Sequence, residues 1–143
     1  MTANKTYYIT TPIYYVNDVP HIGHAYTSLA CDVLSRFKRL DGYDVKFLTG
    51  TDEHGQKVEK SAIAAGMDPL SFCDKVSSRF KDLSDKMNFL NDDFIRTTEE
   101  RHKVACQDLW QKLKANNQIY LDNYGGWYSV RDEAYFGENE LLK

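Results

Sequence analysis

The sequence predicts an α/β fold with a parallel β-sheet, because strand-like and helix-like patterns alternate along the chain. Residues 5–11 (KTYYITT) are rich in aromatic and β-branched side chains, which are typical of strands. Apolar residues then recur at helical spacing over 22–40, and 45–51 (VKFLTGT) is strand-like again. A strand, a helix and a strand joined by a short crossover imply parallel strands connected in the right-handed sense.

The next segments continue this alternation. The helical pattern of 55–65 ends at Gly66, and Asp68 with Pro69 supplies an N-cap and a first-turn proline for a third helix. A short buried strand is predicted at 94–95.

A fourth helix is predicted after a capping box formed by Thr97 and Glu100. The apolar side of this helix, which includes Trp110, is predicted to lie in the core. Further along, 119–121 and 127–130 flank a glycine-containing turn, which predicts a β-hairpin.

Composition and charge exclude several classes of protein. The chain has 143 residues, 42% of them hydrophobic and 27% charged, with a formal net charge of −3, and these values are typical of a globular protein. No apolar run approaches the roughly 18 residues that span a bilayer. Residues 1–5 are not followed by an apolar segment of the kind found in signal peptides, so none is expected. The acidic balance does not favour binding of nucleic acid by bulk charge, so neither a membrane nor DNA is expected as a partner.

The three cysteines are scattered along the chain at Cys31, Cys73 and Cys106. They never form a Cys-x-x-Cys pair, so the sequence predicts neither a disulfide framework nor a zinc ribbon. A reduced, cytoplasmic setting is the simplest interpretation.

Two histidines, His21 and His24, stand between the first strand and the first helix, with Gly23 between them. Open α/β sheets bind ligands beyond the carboxyl ends of their strands, and the N-terminus of a following helix favours phosphate. Imidazoles three residues apart share one side of the first turn and can both donate hydrogen bonds to phosphate oxygens. Glycine allows a ligand to approach the backbone closely.

Two other interpretations of these histidines remain open. Either one can be an ordinary polar neighbour of a helix N-terminus. The pair can also belong to a zinc site, with His54, Asp52 or Glu53 as the third ligand. Spacing alone does not separate a phosphate site from a metal site.

A second candidate segment, 49–55 (TGTDEHG), ends the second predicted strand. In a parallel sheet this end opens onto the same crevice as the two histidines. The Asp52 carboxylate can pair there with a cation such as a substrate ammonium. Thr51 or Asp52 can instead cap the helix that begins near Gly55, and the two roles are compatible.

The chain resembles the N-terminal part of the bacterial methionyl-tRNA synthetases in 10–17 (TTPIYYVN), 20–24 (PHIGH) and 47–55 (FLTGTDEHG). The HIGH sequence is typical of class I aminoacyl-tRNA synthetases as a whole, and the flanking segments narrow the resemblance to the methionine family. The resemblance implies the first half of a doubly wound, Rossmann-like nucleotide-binding sheet over residues 1–117. It also implies the beginning of an inserted connective domain over 118–143.

The resemblance further implies a methionine–tRNA ligase. In that family the carboxylate of methionine attacks the α-phosphate of ATP, which acts with Mg²⁺, and the methionyl group of the resulting adenylate passes to tRNA(Met). His21, Gly23 and His24 match the positions that bind ATP, and the two histidines are the implied catalytic residues. Four further residues match positions that bind methionine, Asp52 by holding its ammonium group: Pro12, Ile13, Tyr15 and Asp52.

The chain departs from the family in two respects. Many relatives carry Cys-x-x-Cys where this chain has SVRD at 129–132, so no structural zinc and no metal-binding residue are expected. The Lys-Met-Ser-Lys-Ser motif, which completes the triphosphate site in the family, is absent from these 143 residues. We therefore expect the 143-residue chain alone not to activate methionine.

Three alternative functions are compatible with parts of the sequence. Another nucleotidyltransferase could use the two-histidine phosphate site, although it gives no role to 49–55. A metal-dependent hydrolase would use His21, His24 and His54 as ligands. A non-catalytic tRNA-binding fragment is disfavoured by the acidic charge.

Overall fold

The computed structural model describes residues 5–141, which divide into two compact units. The division falls between Cys106 and Gln107, inside a helix. The first unit is an α/β structure, and the second contains an antiparallel strand pair. The assignment of 1–117 and 118–143 to two domains of the family stays a prediction.

The first unit is built on a sheet in which every pairing is parallel, as the sequence predicts. Its strands are β1 (Thr6–Thr10), β2 (Tyr14–Tyr15), β3 (Asp44–Asp52) and β4 (Asp93–Arg96). Leu48 of β3 pairs with both β1 and β4, and Thr51 of β3 pairs with both β2 and β4. The long strand β3 is therefore central, with β1 and β2 along one edge and β4 along the other.

Helices connect these strands close to the predicted positions. They are α1 (Ile22–Leu40), α2 (Gln56–Ala64), α3 (Pro69–Lys86) and α4 (Glu100–Ala115). The predicted start of α3 is confirmed, because Asp68 accepts a hydrogen bond of 3.1 Å from the backbone N–H of Ser71 and Pro69 is the first helical residue. None of the helices described over 5–141 has the length and apolar character that crossing a bilayer requires.

The apolar core of the first unit is formed by α2, α3 and the segment around β2. Eight buried residues form one cluster: Tyr14, Val16, Val58, Ala62, Phe72, Cys73, Val76 and Phe80. The cluster joins the short strand β2 to both helices. Packing of α2 and α3 against this region therefore fixes the segment that leads from β2 to α1.

A buried polar contact ties α1 to the loop before β4. The Asp32 carboxylate is 3% exposed and accepts hydrogen bonds from the backbone N–H of Leu90, at 2.7 Å, and from Nε of Arg36, at 2.6 Å. A buried carboxylate is tolerated because its oxygens are satisfied in this way.

The predicted capping box before α4 is wrong. The helix begins at Glu100 and its first carbonyl acceptor is that of Glu99, so Thr97 lies two residues before the N-cap position. The Thr97 hydroxyl instead accepts a hydrogen bond of 2.9 Å from the backbone N–H of Glu53. The predicted core role of Trp110 is also wrong, because its side chain is 56% exposed and α4 has no buried residue.

The predicted hairpin has the wrong partner strands. The segment 119–121 is not a strand, and β5 (Trp127–Ser129) pairs instead with β6 (Ala134–Phe136). The turn lies at 130–133, where Glu133 adopts a left-handed backbone with φ of 53°.

Candidate functional site

The candidate site lies at the carboxyl ends of the parallel strands, where an open sheet binds ligands. Strand β2 runs beside the end of β3, so that Tyr15 and Asp52 are Cα partners in the register. The chain leaves β2, passes Pro20 and enters α1 at Ile22. The fold thus places Tyr15 on the edge strand β2, Asp52 at the end of the central strand β3 and the two histidines at the following helix N-terminus.

His21 and His24 cap the N-terminus of α1 reciprocally. Nδ1 of His21 accepts a hydrogen bond of 3.1 Å from the backbone N–H of Gly23, and Nδ1 of His24 accepts one of 3.1 Å from the backbone N–H of His21. The two rings lie 3.9 Å apart between centroids. A capping box normally uses Ser or Thr with Glu or Gln, and here two imidazoles satisfy the free backbone donors instead.

This capping fixes the tautomer of both imidazoles. An Nδ1 atom that accepts a backbone hydrogen bond carries no proton, so the ring proton lies on Nε2. Each histidine therefore presents an Nε2–H donor. Such donors are suited to phosphate oxygens, whereas a metal ion requires an unprotonated ring nitrogen.

Two aromatic rings surround His24. Tyr14 contacts it edge-on at 4.8 Å and Phe80 at 5.1 Å between centroids, and the Tyr14 hydroxyl lies 3.0 Å from Oγ of Ser28. Burial and, secondarily, the charge of His21 lower the pKa of His24 below its usual 6.5. The neutral form that caps the helix is therefore the favoured one.

Gly23 has a structural reason in addition to ligand access. A Cβ at this position would lie 2.9 Å from Cε1 and 3.1 Å from Nδ1 of His21. A side chain would therefore displace the capping ring, since contacts below 3 Å are not tolerated.

The predicted methionine-binding residues are accessible to a ligand. Ile13 is 41% and Tyr15 39% exposed, Pro12 is exposed, and Asp52 is partly buried. The ammonium of Lys57 lies 5.9 Å from the centroid of the Tyr15 ring. The structure brings Tyr15 next to Asp52 through strand register, which joins an aromatic surface to a carboxylate.

Glu53, next to Asp52, forms a buried network that sequence reasoning missed. Its side chain is fully buried, and its carboxylate accepts hydrogen bonds from Thr51 Oγ1 at 2.8 Å, from Arg96 Nε at 2.7 Å and from the Thr98 hydroxyl. Arg96 also pairs with Asp74 at 2.6 Å.

Burial alone would raise the pKa of Glu53, but the three hydrogen bonds and the charge of Arg96 outweigh it and lower that pKa. The hydrogen bonds and negative charges of Glu53 and Asp74 raise the pKa of Arg96. The network anchors the end of β3 to the end of β4 at the residue that follows Asp52.

The alternative roles proposed for the second segment do not match the geometry. Gly55 is the N-cap of α2 and makes no side-chain cap, while the Thr51 hydroxyl donates to Glu53. Nε2 of His54, the third histidine of the proposed zinc site, lies 3.3 Å from the carbonyl oxygen of Thr97. Among residues 5–141 no group of three or more His, Cys, Asp or Glu side chains is placed to hold a metal ion.

A parallel sheet with paired histidines at the N-terminus of its first crossover helix is the arrangement of a class I tRNA synthetase. The model of the family "tRNA synthetases class I (M)" matches residues 7–142. The chain therefore belongs to this family, and the resemblance inferred from its sequence is confirmed.

Named relatives and a solved structure agree with this assignment. The methionine–tRNA ligase of Rickettsia conorii is 64% identical over 140 residues, which are 98% of this chain and 28% of that protein. The methionine–tRNA ligase of Bacillus subtilis is 50% identical over 97% of this chain and 21% of its own length. The chain thus spans about a quarter of the length of these relatives.

The structure of Mycobacterium tuberculosis methionyl-tRNA synthetase bound by methionyl-adenylate superposes with a TM-score of 0.89 at 52% identity. The match covers 95% of this chain and 27% of that one. It confirms the predicted α/β class and the Rossmann-like parallel sheet.

Proposed function

We propose that this chain supplies part of the site in which a methionine–tRNA ligase activates methionine with ATP. The observation that carries the proposal is the reciprocal cap of His21 and His24, which holds two Nε2–H donors at a helix N-terminus beside the strand ends. The solved relative bound to methionyl-adenylate supports this chemistry.

The two histidines act on the phosphates of ATP. When the methionine carboxylate attacks the α-phosphate, negative charge grows on the phosphate oxygens as pyrophosphate leaves. Neutral Nε2–H groups of His21 and His24 donate hydrogen bonds to that charge without needing to reorient. The free backbone N–H groups of the first turn of α1 add to this positive field.

In the proposal, methionine binds at the ends of β2 and β3, beside the histidines that contact ATP. Asp52 pairs with the substrate ammonium, and Tyr15, Ile13 and Pro12 form an apolar wall for the thioether side chain. Register places Tyr15 beside Asp52, so one ligand can contact both. A thioether offers little to hydrogen-bond, so the shape of this apolar wall must distinguish methionine from other amino acids. Such selection is modest, because a difference of one methylene between two substrates is worth only about 1–3 kcal/mol.

The remaining parts of the proposal concern Mg²⁺, tRNA and compartment. Mg²⁺ accompanies ATP and is held by the triphosphate oxygens, a coordination that Mg²⁺ commonly adopts. tRNA(Met) receives the methionyl group. A cytoplasmic setting is supported by Cys31, Cys73 and Cys106, all of which are free thiols.

ATP binding by the chain tests the phosphate side. We expect ATP to shift the imidazole NMR signals of His21 and His24. The variant His21→Asn keeps a good N-cap residue but loses the Nε2–H donor, so ATP affinity should fall about tenfold while the thermal midpoint stays close to wild type. His102→Asn, on α4, is the matched control. Unchanged ATP affinity in His21→Asn would contradict the proposal.

Methionine binding tests the other side. Asp52→Asn should weaken methionine about tenfold, because a charge-assisted hydrogen bond is lost. Asp44→Asn, at the opposite end of β3, should leave affinity unchanged. N-acetylmethionine has no ammonium group, so Asp52→Asn should not weaken it; equal losses for both ligands would remove Asp52 from the proposed role. We expect no methionine-dependent pyrophosphate exchange from the 143-residue chain.

A further inference from the structure

The second unit contains a cavity of about 440 Å³ at the open end of the β5–β6 pair. Its walls come from 124–127 before and within β5 and from 135–140 after and within β6. The cavity lies at the pairing of Trp127 with Phe136, at the end opposite the turn 130–133. It is separate in sequence from the histidine site.

Aromatic rings dominate one part of the cavity. Tyr124, Trp127, Tyr135 and Phe136 line it, and Tyr124 and Tyr135 are in edge contact at 4.9 Å between centroids. Tyr128 also contacts Tyr135 at 5.1 Å. Trp127 is 64% and Tyr124 80% exposed within residues 5–141, so part of each ring surface is accessible from the cavity.

Two carboxylates, Glu138 and Glu140, line the same cavity. Oε2 of Glu140 accepts a hydrogen bond of 2.8 Å from the backbone N–H of Gly137, which fixes this carboxylate at the cavity wall. Residues 122–141 carry five acidic side chains and a single basic one, Arg131. Arg131 lies in the turn, at the far end of the strand pair.

We propose that this cavity, defined by Tyr124, Trp127, Tyr135, Glu138 and Glu140, binds an organic cation of the guanidinium or alkylammonium type. Aromatic faces attract a cation through the ring quadrupole, and the carboxylates add charge and hydrogen-bond acceptors. The same walls repel phosphate. The ligand is a free small cation or the side chain of a basic peptide, which share this chemistry.

Tryptophan fluorescence gives a direct test on the whole chain. In a Trp110→Phe background, Trp127 is the sole reporter, and N-acetyl-argininamide should change its emission saturably in the millimolar range. The neutral isostere N-acetyl-citrullinamide should bind at least about threefold more weakly, because it lacks the charge. Equal responses to the two compounds would overturn the proposal.

Variants locate the binding. Glu138→Gln and Tyr124→Leu should each lower the affinity about threefold, whereas Tyr124→Phe keeps the ring and should retain it. Asp122→Asn removes an acidic side chain that does not line the cavity and serves as the matched control. Binding that is unaffected by both Glu138→Gln and Tyr124→Leu would place the cation elsewhere and overturn the proposal.

A peptide arm separates the two sources of the cation. A capped Gly-Arg-Gly-Arg-Gly peptide that binds at least about tenfold more tightly than N-acetyl-argininamide identifies a basic protein segment as the ligand. Equal affinity per arginine identifies a small cation. Circular dichroism of each variant checks that the fold is intact before affinities are compared.

Discussion

His21 and His24 hold each other in place: Nδ1 of His24 accepts the backbone N–H of His21, and Nδ1 of His21 accepts the N–H of Gly23. Both contacts require an unprotonated Nδ1. Protonation of either ring would therefore break a helix cap as well as add charge at the positive end of the α1 dipole. The cap and the neutral charge state stabilise each other.

The first prediction concerns the titration of His24. Burial beside Tyr14 and Phe80, then the charge of His21, lower the pKa of His24, so its imidazole should titrate below pH 6.5. Proton NMR of the ring across pH 4–8 measures this directly. Phe80→Leu removes one ring from the burial and should move the midpoint back towards 6.5. A wild-type midpoint above 6.5 would contradict the prediction.

The same shift predicts how stability depends on pH. The unfolded chain protonates His24 at a higher pH than the folded chain does, so the unfolded state binds more protons just below pH 6.5. The contribution of His24 to folding is therefore full above pH 6.5 and is lost as the pH falls through the folded-state pKa. Urea unfolding should show that His24→Gln loses less stability than wild type when the pH is lowered from above 6.5 through the folded-state pKa of His24.

The second prediction concerns the buried carboxylate of Glu53. Glu53→Gln removes the charge that faces Arg96 and should lower the free energy of unfolding by about 3 kcal/mol, because one partner of a buried ion pair is left behind. Glu59→Gln, an exposed site on α2, is the control and should change stability little. Urea denaturation at pH 7 measures both.

Acid unfolding separates loss of this charge from a general packing defect. The pKa of Glu53 is lowered in the folded state, so its contribution is present above pH 4.5 and disappears as the pH falls through the folded-state pKa. Wild type should therefore lose more stability than Glu53→Gln between pH 6 and pH 3. Parallel pH profiles for the two proteins would show that the network does not act through charge.

Local signals predicted the elements of the first unit well. The extent of α1 from Ile22 to Leu40 and the Asp68 cap of α3 depend on neighbours in sequence, and both agree with the structure. The apolar stripe of α1 is nevertheless largely exposed, and the buried residues of this helix are Ser28, Asp32 and Ser35. The two histidines also lie at the predicted helix N-terminus. Periodicity, caps and a parallel crossover are short-range properties, so a single sequence is sufficient to specify them.

Contacts between distant residues were not predictable in the same way. Thr97 stands in a sequence typical of a helix cap, but its hydroxyl accepts a hydrogen bond from the backbone N–H of Glu53, which is 44 positions earlier in the chain. The strand 127–129 has two apolar segments nearby, and pairing with 134–136 rather than 119–121 depends on turn geometry. The pairing of Tyr15 with Asp52 likewise follows from strand register, which local patterns do not specify.

The third prediction concerns Asp32 on α1. Asp32→Asn replaces one of the two accepting oxygens by an NH2 group, so either Leu90 N–H or Arg36 Nε–H loses its acceptor and the free energy of unfolding should fall by about 2 kcal/mol. Asp41→Asn, at the exposed C-terminus of the same helix, should cost much less. Equal losses in the two variants, measured by urea denaturation, would show that the tie to Leu90 contributes nothing.

The last prediction concerns the close approach of β3 and β4 at Gly50. Gly50 pairs with Ile95, and a Cβ built on it would lie 2.0 Å from the carbonyl oxygen of Ile95 and 2.7 Å from its Cγ2. A backbone carbonyl in a strand cannot move aside, so Gly50→Ala should lower the free energy of unfolding by about 3 kcal/mol or more.

A matched substitution separates this clash from any general effect of adding a methyl group. A Cβ at Gly125 would meet no atom within 4 Å, so Gly125→Ala should leave stability within about 0.5 kcal/mol of wild type. Because Asp52 follows Gly50 by two residues, separation of β3 from β4 should also weaken methionine binding in Gly50→Ala at temperatures where the variant is folded. A Gly50→Ala protein as stable as Gly125→Ala would show that the two strands do not need this contact.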